Sequence, residues 1–278
     1  MVQTMQSNFL EIIRQKKPLV HFLTNYVTVN DVANITLAAG GSPVMADAAE
    51  ETADIASLSS AVVINMGTPN RAALQGMLTA GKRANDSGIP VVFDPVGAGA
   101  SAFRNEIAAT LLANIRFAVI KGNISEIRSL LGETGPSRGV DAVDADIVTE
   151  ERLQESVVLA RRLAAKTGAV VVISGPVDII ADKDKAWRVN NGHVMMASIT
   201  GSGCMAGAVV GVHVGAFPEN PLEAALHAVV SMGICGEIAW RRLGNAGTAT
   251  YRILLIDAMS QLDQTVFDAR CLAEQLVF

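Results

Sequence analysis

An α/β fold with a mostly parallel central sheet is predicted by three features of the sequence. Short β-branched runs recur, and each is followed by a segment with helical spacing, which is typical of strands joined by crossover helices. Half of the 278 residues are hydrophobic and 18% are charged, so the chain can bury a large core. The composition gives no sign of a linker or a low-complexity arm. We therefore expect a single domain over residues 1–278.

Five parallel strands are predicted in the first two-thirds of the chain. Each is a short apolar run that ends in a polar residue or in glycine. The segments between them have apolar residues at helical spacing; residues 70–88, for example, close at Gly88 before Pro90. The predicted strands are residues 20–25, 61–67, 90–97, 117–123 and 169–175.

The pattern changes after the fifth strand. Residues 177–182, 185–192 and 193–198 alternate and are joined by turn residues, which predicts short antiparallel strands at one edge of the sheet. Beyond Cys204 the spacing predicts helices, and the sheet is flanked by helices on both faces. The predicted C-terminal helices are residues 203–216, 221–243, 247–263 and 265–277.

Charge and cysteine content narrow the classes of function. The net charge is −5, from 22 basic and 27 acidic residues, and there is no basic stripe of the kind that binds nucleic acid. The N-terminus lacks a secretory signal, and the apolar runs are shorter than the roughly 20 residues that span a bilayer. The three cysteines have no CxxC spacing, so we expect reduced thiols. These features predict a cytoplasmic protein with a small-molecule partner, no nucleic acid and no membrane.

Polar residues follow the predicted strands at one edge of the sheet, where open α/β sheets bind ligands. Asp94 follows four apolar residues and precedes Pro95, and Lys121 lies at the end of the next strand. In the segment KGNISE, Asn123 is a candidate helix N-cap and Glu126 lies three residues later. A turn or cap explains Asp94, and a capping box explains Glu126. Alternatively, the two acids share Mg²⁺, with Glu126 acting through water. The sequence leaves both interpretations open.

The segment TGSGC, residues 200–204, predicts an anion-binding cradle. Gly201 and Gly203 allow backbone N–H groups to approach an anion closely, and the helix that follows adds the positive end of its dipole. The segment does not match the P-loop pattern. Cys204 lies at the helix N-terminus, a position that lowers the pKa of a thiol, so we predict a functional cysteine there.

Five blocks of sequence together resemble a known family, the hydroxyethylthiazole kinases of thiamine synthesis, along nearly the whole chain. The blocks are HFLTNYVTVNDVANITLAAGGSPVMA (21–46), INMGTPN (64–70), VVFDPVGAGASAFR (91–104), VIKGNISEI (119–127) and ITGSGCMAGA (199–208). The resemblance implies a ribokinase-like fold and transfer of the γ-phosphoryl group of ATP to the primary alcohol of 4-methyl-5-(2-hydroxyethyl)thiazole. It also implies Mg²⁺ and a homotrimer with active sites between subunits.

The resemblance assigns roles to individual residues by position. Cys204 is the catalytic residue, standing where related sugar and vitamin kinases have an aspartate base; it either orients the alcohol or accepts its proton. The implied substrate-binding residues are Met45, Gly201 and Asn25. The implied ATP-binding residues are Lys121, Ser174, Asn123 and Gly203, and the implied Mg²⁺ residues are Asp94 and Glu126.

Two departures from the family pattern and three alternatives remain. The family usually has arginine where Lys121 stands, which affects the expected affinity for nucleotide because lysine cannot form a bidentate fork. It also usually has GTGC where this chain has GSGC, a change that keeps the hydroxyl. The alternatives are a sister kinase such as a hydroxymethylpyrimidine kinase, a hydrate repair dehydratase, and a catalytically silent nucleotide-binding regulator. A Rossmann oxidoreductase is disfavoured because GxGxxG is absent after the first strand.

Overall fold

Nine short segments form strands in the part of the chain that the computed structural model describes, residues 8–133 and 152–277. The central strands are apolar at successive positions because both faces of the sheet are covered. The strands are β1 (Leu19–Leu23), β2 (Ser42–Met45), β3 (Ala61–Asn65), β4 (Val91–Asp94), β5 (Val119–Asn123), β6 (Val170–Ser174), β7 (Asp178–Ala181), β8 (Ala186–Val189) and β9 (Ala273–Leu276).

All nine strands belong to one sheet, in the order β2-β1-β3-β4-β5-β6-β7-β8-β9. The pairs from β2 to β6 are parallel, and β7, β8 and β9 add antiparallel pairs at one edge. The predicted fold class, a mostly parallel sheet with short antiparallel edge strands, is confirmed. Because the parallel strands run in one direction, their carboxyl ends meet at one edge of the sheet.

Helices cover both faces of the sheet. Successive strand residues face opposite sides, so Val62 and Ile64 join one apolar core and Val63 joins the other. The α-helices in the described residues are α1 (Phe9–Lys16), α2 (Val29–Ala38), α3 (Thr52–Leu58), α4 (Arg71–Asp86), α5 (Ala102–Asn114), α6 (Ile124–Leu130), α7 (Leu153–Thr167), α8 (Ser202–Ala216), α9 (Pro221–Leu243), α10 (Thr248–Gln261) and α11 (Gln264–Arg270).

Two predicted elements were wrong in type. Residues 193–198 are not a strand: Val194–Ser198 form a 3₁₀ helix whose first turn is capped where the His193 side chain accepts the N–H of Met195. The predicted helix 265–277 ends at Arg270, and β9 follows it and pairs with β8. In residues 193–198 a local hydrogen bond overrides the periodicity of the sequence. In residues 265–277 the pairing with β8 does so. The edge strand β2 was also not predicted as a strand.

A row of glycines places α8 directly on the sheet. The row consists of Gly203, Gly207, Gly211 and Gly215, four residues apart and therefore on one side of the helix. A Cβ atom on Gly211 would lie 2.5 Å from Val63 Cγ2, and one on Gly215 would lie 3.2 Å from Ala61 Cβ. The sheet therefore leaves no room for a larger residue at the middle of α8.

Helix α9 is the one described helix that is long and apolar enough to cross a membrane by length and composition. The sequence analysis expected only apolar runs too short to span a bilayer, and this helix of 23 residues is longer than those runs. However, 78% of its most apolar window is buried inside the protein, against α8, α10 and the sheet. This burial is what a core helix requires.

Candidate active site

Five polar residues, each from a different segment, meet at the carboxyl edge of the parallel strands. Asn25 follows β1, Asn65 ends β3 and Asp94 ends β4, where Asn65 and Asp94 are direct neighbours in the ladder. Lys121 lies on β5, and Cys204 lies in the first turn of α8. The sequence predicted that strand-end residues would converge at one edge, and the structure brings these five together.

Two asparagine amides hold the sulfur of Cys204. The Nδ2 atom of Asn25 lies 3.4 Å from Cys204 Sγ, and the Nδ2 atom of Asn65 lies 3.3 Å from it. Asn25 is itself fixed, because its Oδ1 accepts the backbone N–H and the hydroxyl of Thr28, each at 3.1 Å. The thiol therefore lies in a defined place at the mouth of α8.

The thiol of Cys204 is protonated more readily than its helix position predicts. Burial raises its pKa, and the nearby carboxylate of Asp94 raises it further, against smaller opposing contributions from Thr28, Lys121 and Asn25. The prediction of a lowered pKa at a helix N-terminus was wrong. The reason is that the same fold that places the sulfur there also buries it beside an acid.

Asp94 and Lys121 form a buried ion pair at the centre of the site. Lys121 Nζ lies 3.8 Å from Asp94 Oδ2, and the same carboxylate oxygen accepts a hydrogen bond of 2.9 Å from Asn65. Burial raises the pKa of Asp94 despite these two partners. For Lys121, burial acts to lower the pKa, but the carboxylates of Asp94, Glu126 and Asp178 outweigh it and raise the pKa, so the ammonium stays charged.

Glu126 forms the capping box that the sequence offered as one interpretation. The Asn123 side chain accepts the backbone N–H of Glu126 at 2.9 Å, and Glu126 Oε2 accepts the backbone N–H of Asn123 at 2.8 Å. Its other oxygen, Oε1, accepts the N–H of Gly97 at 2.8 Å. Burial and repulsion from Asp94 raise the pKa of Glu126 to about 7. Glu126 is therefore both a cap and a buried acid that faces Asp94.

The residues present fit a magnesium ion held through few protein ligands. Among the described residues, no group of three or more His, Cys, Asp or Glu side chains is arranged to hold a metal. Mg²⁺ characteristically takes one or two carboxylates and fills its shell with waters and phosphate oxygens. Asp94 and Glu126 are two buried acids whose pKa values are raised by burial, and a divalent cation between them would offset their repulsion.

The segment that was predicted to form an anion cradle lies at the N-terminus of α8. Gly201 is the helix N-cap and has φ of 85°, a backbone conformation that favours glycine. A Cβ atom there would lie 2.7 Å from Thr28 Cγ2. Gly203 is exposed, and a Cβ on it would lie 3.3 Å from Lys121 Nζ. The N-terminus of α8 and the Lys121 ammonium are thus close together, an arrangement that suits a phosphate group.

Ser174 and Asn123 line the neighbouring strand ends. They are partners in the β5–β6 ladder, and Ser174 Oγ lies 3.4 Å from the carbonyl oxygen of Gly122. Asp178 lies nearby at the start of β7, where its carboxylate accepts the N–H of Gly175 at 2.9 Å. Burial of this carboxylate raises its pKa to about 7. Asp178 was not predicted as a site residue, because a lone aspartate after a turn is the usual signal of a turn cap.

Met45 lies apart from the other predicted substrate residues. It ends β2, the edge strand, so β1 separates it from β3. Its side chain is 36% exposed, and Tyr26 and Val27 in the loop after β1 are 80% and 57% exposed. Asn25 and Gly201 lie at the centre of the site, whereas Met45 lies on an apolar rim beside it.

The fold and the site together define a ribokinase-like small-molecule kinase. A ribokinase-like superfamily protein from Enterococcus faecalis has a similar fold, with a TM-score of 0.62 at 14% identity over 94% of this chain and 96% of that chain. The structure of a hydroxyethylthiazole kinase protein from Pyrococcus horikoshii has a TM-score of 0.86 at 34% identity, over 97% of this chain and 99% of that chain.

Sequence comparisons identify the family. The model of the hydroxyethylthiazole kinase family matches residues 10–265. A hydroxyethylthiazole kinase from Desulfovibrio desulfuricans is 51% identical over 96% of this chain and 97% of its own length. The chain belongs to the hydroxyethylthiazole kinase family, as its sequence blocks indicated.

Proposed function

We propose that this protein transfers the γ-phosphoryl group of ATP to the primary alcohol of 4-methyl-5-(2-hydroxyethyl)thiazole, in the synthesis or salvage of thiamine. The observation that carries the proposal is the Asp94–Lys121 ion pair, buried below the open N-terminus of α8 with the Cys204 thiol beside it. Phosphoryl transfer needs positioning and charge neutralisation more than covalent chemistry, and this arrangement supplies both. Family membership supports the choice of alcohol.

Four residues are assigned to ATP. Lys121 supplies a fixed positive charge toward the phosphates, and the backbone at Gly203 offers N–H groups from the first turn of α8. Ser174 and Asn123 lie at adjacent strand ends beside it. Lysine in place of the usual arginine gives a point charge without the bidentate fork, so nucleotide affinity is the property most affected by this departure.

Asp94 and Glu126 are assigned to Mg²⁺. Asp94 is the direct ligand. Its contacts with Asn65 and Lys121 both use Oδ2, so Oδ1 is the oxygen assigned to the ion. Glu126 acts through water, because each of its oxygens already accepts a backbone N–H. When bound, the ion supplies positive charge that offsets the charge on the phosphates.

Cys204 is assigned to the acceptor alcohol, with Asn25, Gly201 and Met45 around the thiazole. Because burial and Asp94 raise the pKa of the thiol, Cys204 orients the hydroxyl as a neutral group and does not act as a preformed base. A loose transition state has little need for a strong base, so orientation of the oxygen is the larger contribution.

The assembly proposed is a homotrimer with active sites between subunits. The free edge of β2 and the exposed apolar side chains of Tyr26, Val27 and Met45 lie on one side of the site, and such a surface is typical of a subunit contact. Light scattering would give the mass of the assembly in solution. A cytoplasmic location is proposed because Cys204, Cys235 and Cys271 are free thiols, which suits a reducing compartment.

The test is a coupled ATPase assay with Mg²⁺ and hydroxyethylthiazole, followed by mass spectrometry of the product. Parallel reactions contain hydroxymethylpyrimidine or no acceptor. We expect thiazole phosphate and only background turnover in the parallel reactions. Phosphorylation of the pyrimidine alone would move the protein to a sister kinase, and ATP binding without any turnover would favour a silent regulator.

A further inference from the structure

Asn65 is buried at the end of β3, and all four hydrogen-bonding positions of its amide are in use. Its Oδ1 accepts the side-chain N–H of Asn25 at 3.0 Å and the backbone N–H of Gly67 at 2.9 Å. Its Nδ2 donates to Asp94 Oδ2 at 2.9 Å and to Cys204 Sγ at 3.3 Å. A side-chain amide has two N–H groups and two carbonyl lone pairs, so its capacity is filled.

These four bonds allow one orientation of the amide. A flip by 180° would turn the carbonyl oxygen toward the carboxylate of Asp94 and the NH₂ group toward the backbone N–H of Gly67. Both new contacts would be repulsive. Asn65 also lies in a central strand, in direct register with Asp94 on β4, so the backbone that carries the amide is rigid.

We propose that Asn65 is a positioning residue that holds the Cys204 sulfur and the Asp94 carboxylate in a fixed relation to each other. Its two N–H groups join these two side chains directly. The sulfur also accepts from Asn25 Nδ2 at 3.4 Å, so amide groups occupy the side of the sulfur that faces the strands. The S–H bond is therefore directed away from both amides. The inference rests on the proposed function, because it concerns the same site.

The substitution Asn65→Asp separates this role from support of the fold. Aspartate has the same size, and its oxygen in the Oδ1 position keeps the bonds from Asn25 and Gly67. The two N–H donations, to Asp94 and Cys204, are lost, and a carboxylate is added beside Asp94. The added charge acts on Asp94 with or without the sulfur, so the cycle below isolates the part of the effect that passes through Cys204. Asn70→Asp is the matched control: Asn70 is the exposed N-cap of α4, and aspartate caps a helix equally well.

The kinetic test is a double-mutant cycle with Cys204→Ala. We expect Asn65→Asp to lower kcat about a hundredfold, with KM for ATP and for the alcohol within about threefold of wild type, because misplacement of a reacting group by about 1 Å has an effect of that size. In the Cys204→Ala background the loss should be at least about fivefold smaller, since part of the effect acts through the sulfur. Asn70→Asp should match wild type. An equal loss in both backgrounds would overturn the role assigned toward Cys204.

A second measurement needs no turnover. Crystal structures of the wild-type protein, of Asn65→Asp and of Asn70→Asp would be compared without substrate. We expect the Cys204 side chain to occupy a second rotamer, or its sulfur to shift by about 1 Å, in Asn65→Asp alone. One unchanged sulfur position in all three proteins would contradict the proposal. This result does not depend on which alcohol is phosphorylated, so an error in the proposed substrate would be recognised separately.

Discussion

The two ends of helix α8 bury polar side chains in opposite ways. At its N-terminus, Cys204 lies among two amide donors, and the neighbouring ion pair of Asp94 and Lys121 is buried with it. Near its C-terminus, His213 packs close to His227 of α9, where His213 Nε2 and both ring nitrogens of His227 have no hydrogen-bond partner in the part of the chain that the structure describes. Phe9 stacks on His227 at 4.1 Å between ring centroids.

The difference shows where the fold gives up stability for function. In the site, hydrogen-bond and ion-pair partners hold a carboxylate and an ammonium in an enclosed space, and burying these charges lowers the stability of the folded state. In the imidazole pair, burial lowers the pKa of His213 to about 4 and of His227 to about 3, so the rings are neutral and packed as apolar groups. Substitutions at the first end should act on turnover, and those at the second should act on stability.

The largest effect that this contrast predicts is that of Asp94→Asn. We expect kcat to fall roughly a thousandfold, because the change removes the central charge of the site, while the fold is retained. The coupled assay across a range of Mg²⁺ concentrations measures the loss. Asp86→Asn, an exposed acid at the end of α4, is the control and should leave kcat unchanged. A kcat close to wild type for Asp94→Asn would remove Asp94 from the mechanism.

Cys204→Ala should have the next largest effect. We expect kcat to fall about a hundredfold with measurable residual activity, because the cradle and the charges remain when the thiol is lost. Steady-state kinetics with both substrates check this result. Cys271→Ala changes a half-buried thiol outside the site and should behave as wild type. An unchanged kcat in Cys204→Ala would show that the thiol has no part in turnover.

Gly201→Ala and Gly168→Ala compare the same backbone conformation inside and outside the site. Gly168, the C-cap of α7, has φ of 75°, and Gly201 has φ of 85°. We expect Gly168→Ala to lower the free energy of unfolding by about 1 kcal/mol with normal activity. Gly201→Ala should lower it further and also raise KM, because its Cβ would meet Thr28 at 2.7 Å. Urea unfolding and the assay measure both changes; identical behaviour of the two variants would argue against the Thr28 contact.

The smallest effect on activity is expected for His227→Phe. The pKa of His227 is lower in the folded protein, at about 3, than its ordinary value of 6.5, so the wild type should lose stability progressively as the pH falls below about 6.5. Phenylalanine keeps the stacking on Phe9 and removes the titrating group. Urea unfolding between pH 4.5 and 7.5 should therefore give a weaker acid dependence for the variant, with kcat unchanged. Parallel pH profiles of the two proteins would refute this assignment.

The polar edge of the sheet could be predicted because it depends only on which residue follows each apolar run in the sequence. The predicted parallel strands end in a polar residue or in glycine, and parallel strands place their ends together, so Asp94 and Lys121 were both expected at one polar edge. The capping box at Asn123 and Glu126 was also visible from spacing alone, and it is present. The resemblance to the family then supplied the identity of the substrate, which no single motif could indicate.

Features that depend on contacts between distant segments could not be predicted. The direction of the pKa shift at Cys204 is set by burial and by Asp94, which lies more than a hundred residues earlier in the chain. Strand β9 forms because β8 offers it a free edge, whereas its own sequence has helical spacing. In the sequence, Asn65 is only one polar residue of the predicted strand 61–67, because its role depends on four partners that the fold brings together.

The glycine row on α8 also limits how this protein can evolve. Gly211 has no space for a methyl group above Val63, and Gly207 lies close to Asp94, since a methyl group on it would lie 3.3 Å from Oδ2. A larger residue at Gly211 would push α8 away from the sheet and carry the cradle away from the strand ends. A lineage that gains a side chain at this position must therefore lose one from the sheet at the same time.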